Sequence, residues 1–231
     1  MTGDSLDQRD APIGREPAIN APWPPLAVAA VILGLYALQS LAGDPNGPIL
    51  KFAFIPADLG EGRWSGLFTA LFVHGGWPHA FLNGLGALAF GAPVARLFGL
   101  DFRGVLAFFL FYLGAGALAN IGFALVHPGS PVLVVGASGA VSALMGGASR
   151  LVDRRLAQES GGLAPFGSKT VIAMAVSWIG INAVMAVVGL GAVAADAPIA
   201  WEAHLAGYAV GLFAVGPLAR LLGRSWAVER R

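Results

Sequence analysis

Residues 132–149 read VLVVGASGAVSALMGGAS, a stretch without one charged side chain that stops at Arg150. Its length approaches the ~20 apolar residues that cross a bilayer, so it predicts a membrane span. Within it stands Gly136-Ala137-Ser138-Gly139, a hydroxyl set among small residues. Outward from this centre, uncharged stretches recur at Pro25 to Gly43, Trp77 to Ala95, Gly104 to Val126, Thr170 to Ala195 and Ala203 to Ala219. Together they predict six transmembrane helices.

Composition supports the same reading. Of the 231 residues 56% are hydrophobic and only 12% charged, with a mean hydropathy of +0.71, whereas soluble domains carry about 25% charged residues. The runs are too long and continuous for the alternating strands of an outer-membrane barrel. The expected fold class is an all-α membrane protein, a six-helix bundle.

Residues 1–23 are polar and rich in Asp, Pro and Gly, without the basic start and short apolar core of a cleaved signal peptide. They are expected to form a disordered cytoplasmic tail, followed by the helical domain over residues 24–221 and a short basic cytoplasmic tail over residues 222–231. Cysteine is absent, which excludes disulfides and thiolate metal sites. The net charge of +1 says little, but the placement of charges says more. Threading six spans puts Arg9, Arg15, Arg96, Arg103, Arg150, Arg154, Arg155, Lys169, Arg220, Arg224, Arg230 and Arg231 on one side and only Lys51 and Arg63 on the other. The positive-inside rule then makes both termini cytoplasmic, so spans two, four and six enter from the outer face.

That parity brings scattered polar residues to one depth. His79 and Asn83 fall in the first turns of span two, Ser138 early in span four and His204 at the start of span six. A lone membrane Ser is ordinarily a packing or helix-bonding residue, and a lone membrane His can be structural. The set has a different meaning, because intramembrane ionisable groups are expensive and are retained for function. A Ser hydroxyl needs a base to become a nucleophile, and neutral imidazole serves near pH 7, so Ser138 and His204 are expected to form a catalytic dyad. Glu202 points about 200° around the helix from His204 and is poorly placed as an orienting acid; Asp196 is a remaining, weaker option. His79 and Asn83, spaced i, i+4, share a helix face and can donate toward one oxyanion together with the Ser138 backbone N–H. Gly136, Gly139, Ala143, Gly146 and Gly147 on span four and Ala203, Gly207 and Gly211 on span six present small-residue faces, which makes these two spans neighbours.

These residues carry a resemblance. The Gly136-Ala137-Ser138-Gly139 motif, the Ala203-His204-Leu205-Ala206-Gly207 segment and the His74, His79, Asn83 constellation resemble the rhomboid intramembrane serine proteases, and the likeness covers residues 25 to 220. It implies a nucleophile at Ser138, a general base at His204, oxyanion contacts from His79, Asn83 and the Ser138 N–H, and local hydrogen bonding by His74. It implies no metal and no organic cofactor, and substrates that are transmembrane segments of other proteins in a lipid bilayer; no nucleic acid is expected as a partner. Two positions depart from the family pattern. A Tyr is often found four residues after the nucleophile, stacked on the catalytic His, where this chain has Ser142. The first outer loop often carries Trp-Arg, where this chain reads Arg63-Trp64.

Between spans one and two, residues 44 to 76 form the longest outer connection, and its apolar run Leu67 to Val73 is expected to lie in the membrane interface. His127, before Pro128, reads as a solvated boundary residue without chemistry. The competing classes are a non-enzymatic rhomboid-like binder, which would be marked by loss of the Ser or His, and a small transporter, which would need internal repeats that are not apparent. A Gly-x-Ser-x-Gly hydrolase is disfavoured because position 140 is Ala. Abundant Ala, Gly and Arg beside only two Lys point to a bacterial inner membrane as the location.

Overall fold

The computed structural model describes residues 21–153, 162–188 and 200–224. Among them the backbone is helical apart from turns, extended connections and one isolated antiparallel bridge between Phe54 and Val134. Six helices build the body: α1 (Trp23–Ser40), α2 (Trp77–Phe98), α3 (Phe102–Val126), α4 (Ser138–Ser149), α5 (Lys169–Val188) and α6 (Trp201–Leu221). Their starts follow local chemistry. Prolines occupy the first turns of α1 and α2, where a missing N–H leaves no broken hydrogen bond. Asp101 caps α3, its carboxylate accepting from the Arg103 and Gly104 N–H groups at 3.0 and 3.1 Å.

Five of the six, all but α4, are long and apolar enough to cross a membrane, and the chain is an integral membrane protein. The stretch expected to span at 132–149 is corrected in extent: it becomes helical only at Ser138, and its twelve-residue helix reaches only about 18 Å. Every residue of α4 after Ser138 is buried. A short helix with an extended lead-in is tolerated at this depth because protein, and not lipid, surrounds it and satisfies its backbone. The expected tails lie outside the described residues up to residue 20 and from residue 225, as do Asp196 and the end of the fifth span beyond Val188.

The α4–α6 seam sets the position of the site. Gly207 lies so close to the Gly139 backbone, and Gly211 to that of Ala143, that an added Cβ would overlap the facing carbonyl in each case. Backbone against backbone leaves no flexible neighbour to move aside. Gly211→Val is therefore expected to lower stability by at least about 1–3 kcal/mol, read as a fall in thermal midpoint in detergent relative to wild type.

The connection between α1 and α2 folds as three short helical turns, Gly47–Phe52, Pro56–Gly60 and Gly66–Thr69, and a 3-10 turn, Ala70–Phe72. The run Leu67 to Val73, expected at the membrane interface, is covered largely by protein. Leu67, Ala70, Leu71 and Val73 are buried inside the protein, with Phe68 left exposed. The Asn120 amide of α3 donates to the Leu67 carbonyl at 2.9 Å, anchoring the run against the bundle. Arg63 pairs with Asp58 and Glu61, which closes the tip of this loop upon itself.

Candidate active site

The backbone before Ser138 is clamped on one side by the connection between α1 and α2. Phe54 and Val134 exchange two hydrogen bonds, at 2.9 and 2.8 Å, and the Gly136 N–H donates to the Ala70 carbonyl at 2.9 Å. Gly136 has a φ of +104°, a conformation suited to glycine. A Cβ there would lie 2.5 Å from the His79 ring and 3.5 Å from Asn83 Nδ2, so the missing side chain also makes room for both.

His74 adds a second clamp. Its Nε2 accepts from the Ala137 N–H at 3.4 Å, and its own backbone is held by Gln39 of α1, which donates to the His74 carbonyl at 2.7 Å and accepts from its N–H at 3.1 Å. The His74 ring meets His79 edge-on, with centroids 5.2 Å apart. His74 is fully buried in the loop preceding α2, and that burial, with His79 beside it, pushes its imidazole down to about 3. The unfolded chain takes up a proton near 6.5 and the folded one does not until about 3, so this residue withdraws stability as pH falls through that window. The difference in thermal midpoint between wild type and His74→Gln should shrink as pH is lowered from 7 to 4; a constant difference would refute it.

Ser138 opens α4 at its first helical position, where its N–H has no carbonyl partner within the helix. His204 Nε2 lies 2.7 Å from Ser138 Oγ across the α4–α6 seam. The structure thus brings together Ser138, His204, His79 and Asn83, with His74, Gly136, Gly139 and Gly207 around them. His79 Nδ1, Asn83 Nδ2 and His74 Nδ1 are buried without hydrogen-bond partners among the described residues. Such orphaned groups are costly.

Two contacts escaped the sequence reading. Asn182 Oδ1 of α5 lies 2.7 Å from His204 Nδ1, and the Trp178 ring lies 6.1 Å from that of His204, tilted by 38°. Ser142, at the position of the missing Tyr, donates to the Ser138 carbonyl at 2.6 Å. Glu202 is engaged elsewhere, 2.8 Å from His127 Nε2, so His127 is a hydrogen-bonding residue and not merely a solvated one.

The sequence profile of the Rhomboid domain matches residues 61–221, most of the chain. The chain belongs to the rhomboid family. Rhomboid relatives include the chloroplastic RHOMBOID-like protein 9 of Arabidopsis thaliana, 34% identical over 139 residues that make up 57% of this chain and 30% of that protein. Another is Putative rhomboid protease YdcA of Bacillus subtilis strain 168, 33% identical over 86 residues, 37% of this chain and 40% of that protein. The matched part therefore spans less than half the length of either rhomboid relative.

Proposed function

We propose that the protein is an intramembrane serine endopeptidase that cleaves transmembrane segments of other membrane proteins. The observation that carries this reading is the 2.7 Å approach of His204 Nε2 to Ser138 Oγ across two helices that meet through glycines. Family membership supports it, as does the name of the Bacillus subtilis relative.

In this mechanism the Ser138 hydroxyl donates to His204 Nε2, loses its proton to it and attacks the scissile carbonyl. The developing oxyanion is received by the Ser138 N–H, the Asn83 amide and a ring N–H of His79, donors already held in place. The imidazolium then protonates the leaving amine, and water, activated by the same ring, hydrolyses the acyl-enzyme. A substrate helix shields its own peptide bonds, so cleavable segments should carry helix-destabilising residues near the cut. They approach laterally between α2 and α5; α5 is the least covered of the long helices, with 11% of its most apolar window buried against 50% for α2. The bilayer is a bacterial inner membrane with both termini cytoplasmic, which puts the start of α4 toward the outer face. Purified protein mixed with a fluorescent transmembrane peptide and, separately, with a fluorophosphonate probe tests this reading: cleavage and labelling are expected, and absence of both overturns it.

A further inference from the structure

We propose that Asn182 is the positioning residue of the dyad: it sets the tautomer and heading of His204 from α5. The inference rests on the protease reading given above and adds to it a third, neutral member that neither motif contains.

The argument begins with a placement that apolar packing does not explain. α5 turns most of its surface outward, yet Asn182 on it is only 1% exposed. A primary amide buried in a membrane helix is retained only if its polar atoms are matched. Its Nδ2 donates to the Trp178 carbonyl one turn earlier at 2.8 Å, which engages one of its two N–H groups and fixes the amide's orientation. Oδ1 is then the atom facing His204 Nδ1 at 2.7 Å. An amide oxygen only accepts, so Nδ1 must carry the ring proton. A neutral imidazole has one N–H, and Nε2 is thereby left as a lone pair directed at Ser138 Oγ, the state a general base requires. In the other tautomer two acceptors would face each other at 2.7 Å and the nucleophile would meet an N–H. Trp178, on the same helical face, covers one side of the ring, so α5 restrains His204 both in its plane and across it.

No carboxylate competes for this role among the described residues. Glu202 of α6 is paired with His127 at the end of α3, α4 contributes no ionisable side chain, and α5 carries only Lys169 at its far end. The titratable group acting on His204 from α2 is His79.

The test uses the full-length chain in detergent with two variants, Asn182→Leu, which keeps size and loses the acceptor, and Asn182→Asp, which keeps the acceptor and adds charge. Nitrogen NMR of 15N-histidine-labelled protein should find His204 protonated at Nδ1 in wild type and in a mixture of tautomers in Asn182→Leu. Cleavage of a fluorescent transmembrane peptide by Asn182→Leu should lose about 10- to 100-fold in kcat with KM nearly unchanged, as expected when a histidine loses its orienting partner. Asn182→Asp should restore the tautomer and most of kcat. Its carboxylate favours the imidazolium, so the acid limb of its pH profile should move to higher pH. An unchanged tautomer and profile in Asn182→Leu overturns the proposal. If that variant does not fold, an unshifted acid limb in Asn182→Asp overturns it equally. A wild-type chain that cleaves nothing and takes no probe, yet changes tautomer when Asn182 is replaced, defeats the protease reading while the positioning role stands.

Discussion

Ser138→Ala is expected to reduce peptide cleavage by at least about 10⁴-fold and to abolish fluorophosphonate labelling, since Ser138 carries the hydroxyl that His204 Nε2 contacts. The substitution removes one oxygen at the first position of α4, a site where Ala fits the helix, and the α4–α6 seam is made by Gly139, Ala143, Gly207 and Gly211 instead. The fold should therefore survive, and an unchanged thermal midpoint is the control. The residual rate, if measurable, would report substrate binding and the oxyanion donors proposed at Asn83 and His79. Cleavage within tenfold of wild type would remove Ser138 from the nucleophile role.

The second large effect belongs to His204→Ala, with a loss of kcat close to that of Ser138→Ala. In the proposed mechanism the two groups act as one unit through the 2.7 Å contact, so the double variant should be scarcely slower than either single one. Independent roles would instead give multiplied losses. Truncation at His204 also leaves the Asn182 oxygen without its partner, so some loss of stability is expected here, and kcat should be compared at a temperature well below the variant's midpoint. A His204→Ala protein that still labels with the probe at the wild-type rate would show that Ser138 is activated by something else.

The bundle and the approach of His204 to Ser138 could be read from the sequence because both rest on strong constraints. Hydrocarbon demands long uncharged runs, and an intramembrane His or Ser at matched depth is rare enough to notice. The small residues on two spans likewise announced the seam that the backbone contacts of Gly207 and Gly211 form. Elsewhere the same apolar chemistry hides the outcome. Val132 to Val135 are as hydrophobic as a helix, and only their surroundings, Phe54 among them, make them extended. The run Leu67 to Val73 cannot announce whether lipid or protein will cover it. Asn182 and Gln39 were passed over because a single neutral amide in a span gives no charge signal, and α5 is apolar all round, so no stripe identifies its inward face. An uncharged amide in an otherwise apolar span was the available clue, and for Asn182 it pointed at the histidine.

The double hydrogen bond from Gln39 to the His74 backbone makes the first helix more than a membrane anchor. Through His74 it reaches the Ala137 amide, one peptide before the nucleophile. A chain shortened past Ser40 would still hold four long hydrophobic helices, yet the peptide leading into its nucleophile would lose one of its two braces, so an inert product of such trimming would say nothing against the chemistry of the intact protein.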